Sequence, residues 1–371
     1  MKVLKGIDIS RQLKGFFKGS FQINKLLSGY TSIKIGGKAA LFLEPENNID
    51  LTQAVKFLNS IEIPFRVIGN GTNLLINDGR LDFAVIKLSR VFFKEISAKP
   101  DVLYVRAGVS LPRLLNFSIK NGICGLEFLA GIPGTAGGAL VMNAGIRNPF
   151  QPAIVVEAPY PACFDKAEDE SKSAGFRSET PGFPRGMQSI PGTKSSKFLQ
   201  NFKGSPGELH LSISDSLIEI EVMDAQGKIF KLNKDDAGFV YRGSKLKDVI
   251  VLGAYFKVKN KAAWQVAERI KIFLKKRQIS QEMCVRSAGC IFKNPTGENI
   301  SAGELIERAK LKGRSIGQAQ VSDLHANFIV NRGNATFSQV CELMDLVQNK
   351  VKQDCGIKLE TEVEIWNSRG L

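Results

Sequence analysis

Residues 125–145 read G-L-E-F-L-A-G-I-P-G-T-A-G-G-A-L-V-M-N-A-G. Six glycines in 21 residues, set among small apolar side chains, let a backbone approach something flat or closely packed. A core built only for stability would use larger side chains. The uncharged run from Phe128 to Ile146 is long enough to be mistaken for a membrane span. Its five glycines, proline, threonine and asparagine suit a backbone-lined binding loop better than a lipid-facing helix. Upstream, residues 66–79 read R-V-I-G-N-G-T-N-L-L-I-N-D-G, with G-N-G-T-N following an apolar strand. Gly69 and Gly71 let the chain turn sharply and present several N–H groups in one direction, a nest for a phosphate; G-N-G is equally a good hairpin turn. Two such loops about sixty residues apart point to one extended ligand with a pyrophosphate and a large ring. No G-x-G-x-x-G opens a helix, so the ligand is not held in the usual dinucleotide fold.

Outward from these loops, strands and helices are mixed throughout, and the class is α+β. A strand is expected over 33–45, broken at Gly36-Gly37. Asp50 is expected to cap a helix over 51–60, followed by a short buried strand from Phe65 to Ile68. Ser110 can cap a second helix, with Pro112 in its first turn and its end near Gly122. Residues 217–232 alternate around D-A-Q-G and predict a hairpin. A strand follows over 249–258, then helices over 261–277, 301–311 and 337–354, the last closed by Gly356, and a final strand over 357–366. Residues 148–209 hold eight of the fourteen prolines among Ser, Gly and Lys, and read as a mostly disordered surface insertion. A small ordered subdomain or partner-binding loop is the alternative.

The chain has 371 residues and is 43% hydrophobic and 23% charged, enough for two or three buried cores. Its formal charge of +15 favours an acidic partner. The basic residues are spread out and no nucleic-acid motif stands among them, so an anionic small molecule is expected rather than nucleic acid. Six scattered cysteines make no disulfide framework and suit a reducing cytoplasm. The N-terminus lacks the apolar core of a signal peptide, and no membrane association is expected. With only His210 and His325, a histidine-rich metal site is nearly excluded, and no metal is expected.

The succession Y-T-S-I-K-I-G-G (30–37), G-N-G-T-N-L-L (69–75), the 125–145 loop, Y-R-G-S (241–244), S-A-G-C-I-F-K-N-P (287–295), H-A-N-F-I-V-N (325–331) and L-E-T-E-V (359–363) resembles the UDP-N-acetylenolpyruvoylglucosamine reductase, or MurB, family. The likeness runs over nearly the whole chain outside 148–209, and is closer to the shorter type that lacks an extra substrate-clamping tyrosine loop. It implies a PCMH/VAO-like FAD-binding module of two subdomains followed by a C-terminal α+β substrate-binding domain. The expected division is a lead-in over 1–32, the FAD module over 33–260 and the substrate domain over 261–371. It implies a cytoplasmic, monomeric enzyme of peptidoglycan precursor synthesis. Such an enzyme uses NADPH and non-covalent FAD to reduce the enolpyruvyl ether on a UDP-sugar to UDP-N-acetylmuramate. The same architecture also serves FAD-linked oxidoreductases of other substrates. Flavin tethered through a first-subdomain histidine is excluded, because no histidine precedes residue 210.

The cofactor residues the resemblance implies are Gly69, Asn70, Gly71, Thr72 and Asn73 in the first loop. In the second they are Gly131, Ile132, Pro133, Gly134, Gly137, Gly138, Asn143, Ala144 and Gly145. Hydride delivery to C3 of the enolpyruvyl group builds charge on C2 and its carboxylate, so the reaction needs fixed cationic groups and a proton donor at C2. Arg242 matches the carboxylate-binding arginine and Glu362 the catalytic glutamate. Glu360 and Glu364 share its strand face by two-residue spacing, so the assignment could slip by one slot. Tyr241, Lys293 and Asn294 are expected near the substrate. Cys290 stands where many members carry the serine proton donor. A thiol with a pKa near 8.5 can donate, but Lys293 and the arginine could stabilise a thiolate with no proton to give. Cys290 could instead be a packing residue, the role expected for the other five cysteines. His325 is expected to be structural.

Overall fold

Three short apolar segments, A-A-L-F-L, F-R-V-I and L-D-F-A-V-I, carry the first sheet. In a computed structural model, which describes residues 9–147, 210–280, 285–296 and 300–368, it runs in the order Ser20–Leu26, Lys38–Glu44, Arg80–Lys87, Phe65–Ile68. The first pair is antiparallel and the others parallel. Lys38–Glu44 is buried at five consecutive positions, as expected of a strand covered on both faces. The helix Asn48–Ser60 turns Leu51, Ala54, Val55, Phe57 and Leu58 inward. Its cap is Asn47, whose side chain accepts from the amides of Ile49 and Asp50, and not Asp50 as the sequence predicts. Asp50 is buried and accepts instead from the amides of Lys18, Gly19 and Glu46, so it pins the incoming chain. The strand predicted over 33–45 begins only at Lys38 because Lys34, at φ 64°, already turns the chain.

A second sheet is wholly antiparallel, ordered Ile229–Asn233, Leu217–Met223, Ile250–Lys257, Val102–Arg106, Ile96–Lys99. The predicted hairpin and the strand after it fall there. Leu111–Lys120 forms the second predicted helix, with Pro in its first turn, but the Ser110 side chain makes no cap bond. A third antiparallel sheet is ordered Ser287–Cys290, Phe328–Asn331, Ala319–Val321, Ser315–Ile316. The helices Ala263–Ser280, Ala302–Arg308 and Phe337–Cys355 occupy the predicted stretches, and Gly356 closes the last at φ 73°. The final strand is only Glu364–Trp366, shorter than predicted. Before it, the amides of Glu362 and Val363 both turn to the Ile291 carbonyl, leaving no ladder to extend.

The chain's two ends interlock through these sheets. Ile33 and Ile35 lie in one core with Ala288, Phe292, Ile329, Leu343 and Val363. In return, Trp366 lies in the core of the first sheet, 5.7 Å from the Phe83 ring in a T-shaped contact, and its strand pairs in parallel with Leu74–Ile76. Losing so large a buried ring costs roughly 3–5 kcal/mol. Residues 9–146 and 211–368 fall in one compact unit; a second, Arg147–His210, lies almost wholly outside the described residues, as do the predicted insertion, Cys163 and Cys284. Among the described residues no helix is long and apolar enough to cross a membrane, and no cluster of metal-ligating side chains occurs.

Candidate active site

The two glycine-rich loops face each other. The Asn70 amide group donates to the Gly134 carbonyl at 3.3 Å, and the Thr72 hydroxyl donates to the Pro133 carbonyl at 3.2 Å. Gly71 has φ 61°, and a Cβ there would stand 2.1 Å from the Tyr30 carbonyl oxygen, so only glycine fits. The first loop's carbonyls are engaged from behind: Lys87 Nζ donates to Gly69 O at 2.6 Å and the Ser32 amide to Gly71 O at 3.0 Å. Its N–H groups at Asn70, Gly71 and Thr72 meet no protein acceptor among the described residues. Burial pulls the Lys87 ammonium below its usual pKa, opposed by Glu44 and reinforced by Lys94.

The second loop serves a different purpose over its length. Gly131 and Gly134 turn at positive φ, and Ile132 closes a tight turn on the Leu129 carbonyl. The helix Ala136–Val141 is then laid against the second sheet: the Gly137 amide bonds Ala107 O at 3.0 Å, and a Cβ at Gly137 would meet that of Ala107 at 2.9 Å. Gly138 donates to the Thr135 hydroxyl that caps this helix. Beyond it, Asn143 sits at φ 43° and donates to Val240 O at 3.0 Å, while its buried Oδ1 meets no hydrogen-bond partner among the described residues. Ala144 is buried, and the Gly145 carbonyl accepts from Arg242 Nη1 at 2.9 Å. The loop therefore ends on the side chain that the sequence singles out for carboxylate binding.

Arg242 is itself left-handed at φ 57°, and its guanidinium stacks 5.2 Å from the neighbouring Tyr241 ring. Its Nε lies 3.1 Å from Glu362 Oε1 without an aligned hydrogen bond, so the contact is an ion pair. Three different cations face the three glutamates. Glu362 faces Arg242 with a side chain only 16% exposed; Glu360 reaches Lys293 at 3.5 Å but is 77% exposed; Glu364 pairs with Arg66 and is 34% exposed. Only Glu362 is drawn into the interior. Burial raises its pKa, and Arg242 and Lys293 oppose that shift. Burial likewise raises the Tyr241 phenol, against Arg242.

Cys290 ends the strand Ser287–Cys290, immediately after Gly289 at φ 79°. Its thiol is pushed up to about 12, first by burial and then by Glu362, with Arg242 and Arg277 pulling the other way. Of the two outcomes the sequence leaves open, a proton-bearing thiol or a thiolate stabilised by cations, burial favours the thiol, and Lys293 pairs with Glu360. Asn294 Oδ1 accepts from the Ala302 amide at 3.0 Å, at the start of the helix Ala302–Arg308 that Ser301 caps. His325 stands apart from the cluster, its ring 4.6 Å from Phe328 and its amide bonded to Ser322 Oγ.

Arg277 is the residue that motif reading misses. It follows Val266, Ile270 and Phe273 along the buried stripe of its helix, and a charge at that position is the signal that could have found it. Its Nη1 donates to the Gly131 carbonyl at 3.4 Å. Burial and then Arg242 lower its pKa to about 10, which leaves it charged at neutral pH. It thus joins the second glycine loop to the thiol and the other arginine.

Two facing glycine loops, one with amides that meet no protein acceptor among the described residues, form a cradle for a phosphate-bearing cofactor, and the FAD binding domain family matches residues 39–153. The C-terminal domain of UDP-N-acetylenolpyruvoylglucosamine reductase matches residues 278–366. The protein of that name from Desulforamulus reducens is 34% identical over 360 residues, covering 96% of this chain and 97% of its own. That from Thermotoga petrophila is 33% identical over 92% of this chain and 96% of its own. The crystal structure of the Thermus caldophilus enzyme, at 29% identity, superposes with a TM-score of 0.66 and covers 95% of this chain and all of its own. The chain belongs to the UDP-N-acetylenolpyruvoylglucosamine reductase family. The residues present fit FAD: the amides of Asn70–Thr72 are available to a pyrophosphate, and a Cβ at Gly69 would stand 2.7 Å from Thr135 Oγ1 where the two loops meet.

Proposed function

We infer that this protein is a flavin-dependent oxidoreductase of peptidoglycan precursor synthesis, reducing the enolpyruvyl ether of UDP-N-acetylglucosamine to UDP-N-acetylmuramate with NADPH as donor. The observation that carries this reading is the juxtaposition of Arg242, Arg277, Glu362 and the Cys290 thiol beside the cofactor loops. In the proposed division, residues 33–260 hold FAD and 261–371 cover the substrate. Bound FAD supplies the hydride, taken from NADPH, that reaches C3 of the double bond.

The side chains supply the rest. Arg242 and Arg277 present fixed positive charge to the substrate carboxylate, on which negative charge grows as the enolate forms. Glu362 holds the Arg242 guanidinium from the opposite side. Cys290 Sγ gives its proton to C2, completing addition of one hydride and one proton across the double bond; solvent then restores the thiol. Lys293 and Tyr241 line the approach. We place the enzyme in the cytoplasm and read it as a monomer; the free thiols of Cys124, Cys290, Cys341 and Cys355 suit a reducing compartment.

Purified protein should be yellow and release its FAD on denaturation. With the enolpyruvyl nucleotide it should oxidise one NADPH per substrate consumed. Yellow protein that oxidises NADPH no faster with the nucleotide than without it would sink the substrate assignment while leaving the flavin reading intact.

A further inference from the structure

The first glycine loop is linked to the strand that presents the thiol through one intervening residue with no place in the chemistry above, Ser32. Ser32 donates its amide to Gly71 O at 3.0 Å, and its hydroxyl lies 2.6 Å from the Ser287 carbonyl and 3.2 Å from Gly71 O. One hydroxyl carries one proton. The shorter contact therefore takes it, and the amide serves Gly71. Ser287 opens the four-residue strand that ends at Cys290. The same loop also holds the other side of the cluster: Asn73 Nδ2 donates to Glu362 O at 3.2 Å, and the Glu364 amide donates to Asn73 O at 3.0 Å. Gly71, by way of Ser32, and Asn73, directly, thus tie the loop to the two segments that carry Cys290 and Glu362. Core packing of Ile33 and the bond from Asn331 Nδ2 to Ile33 O at 2.9 Å hold the residue after Ser32 rigid.

We propose that Ser32 is a positioning residue of the reductase, passing order from the cofactor loop to the 287–290 strand so that the Cys290 thiol is aimed only when the loop is filled. The inference rests on the proposed function for the direction of the thiol's use. Filling the nest fixes Gly71, Gly71 O fixes the Ser32 amide, and the Ser32 hydroxyl fixes Ser287. With alanine at 32 the first of these links survives and the last is lost.

The test is hydrogen–deuterium exchange on the parent, Ser32→Ala and Ser32→Thr, each with and without FAD, together with rapid mixing. In the parent, FAD should slow exchange both at 69–75 and at 287–291. In Ser32→Ala the first protection should persist and the second vanish, while Ser32→Thr, which keeps a hydroxyl, restores both. NADPH reduction of the flavin should be unchanged in Ser32→Ala, with reoxidation by the enolpyruvyl nucleotide slowed about five- to tenfold, the scale of one lost hydrogen bond. Protection at 287–291 that survives in Ser32→Ala overturns the proposal, because it shows direct shielding by the cofactor. Failure of Ser32→Ala to hold FAD also overturns it, because the hydroxyl then serves the cofactor loop and not the thiol strand. A parent that binds FAD yet never reduces the nucleotide would defeat the functional reading instead, while the exchange pattern would still decide the coupling.

Discussion

At Gly71 one added carbon would stand 2.1 Å from a carbonyl oxygen, whereas at Cys290 three side chains from distant segments, Arg242, Arg277 and Glu362, gather around a single half-buried thiol. The cofactor loops are made of backbone: their specificity lies in turns, amides and missing side chains, so added volume breaks them. The reaction cluster is made of side chains held by burial and opposed charge, so removal breaks it. Because the two are wired together at Gly71, Asn73, Gly131 and Gly145, damage to one can be mistaken for damage to the other. Measuring FAD content and the two half-reactions separately keeps them apart.

The largest effect is expected from Gly71→Val. A β-branched residue at φ 61° with no space for its Cβ should close the nest and give colourless protein without FAD. Normal flavin content in that variant would show that the loop does not hold the cofactor. Next, Glu362→Gln should leave flavin content and NADPH reduction nearly untouched and slow nucleotide reduction by on the order of 10²-fold. The paired control, Glu360→Gln, breaks only an exposed ion pair and should change the same step less than about fivefold. A reversal of the two would move the catalytic carboxylate one slot along the chain.

The smallest effect is one of pH. A thiol near its ordinary pKa would titrate between pH 6 and 10, and proton donation would fail as it ionised. Burial has pushed Cys290 up to about 12, so the thiol stays protonated through that window. Nucleotide reduction should therefore show no alkaline decline below about pH 10 that Cys290→Ser removes. A decline near pH 8.5, present in the parent and absent in the serine variant, would mean the cations prevail over burial.

The glycine loops, the longer helices and the 217–232 hairpin were legible in the sequence because turn chemistry and periodicity are local, whereas short strands such as Ser20–Leu26 and Val102–Arg106 were not. Arg242, Cys290 and Glu362 could be picked out because motifs marked them, and the fold brings them together. What lay hidden were partners chosen by tertiary structure. Asp50 looked like a cap, but its carboxylate is claimed by amides some thirty positions earlier. Residues 357–363 alternate like a strand, yet the amides of Glu362 and Val363 converge on one carbonyl. Arg277 sat within an ordinary basic helix, and Ser32 within a strand-like motif, and neither shows its role until the glycine loops are folded against it.

The central claim, that a side-chain cluster serves the substrate step while a backbone cradle serves the flavin, is tested most directly by rapid mixing of Cys290→Ala. The variant should carry full FAD and be bleached by NADPH at the parent's rate, and its reduced flavin should then be reoxidised by the enolpyruvyl nucleotide roughly 10²–10⁴-fold more slowly, the range for a lost general acid. Reoxidation at the parent's rate would contradict the account and return Cys290 to a packing role.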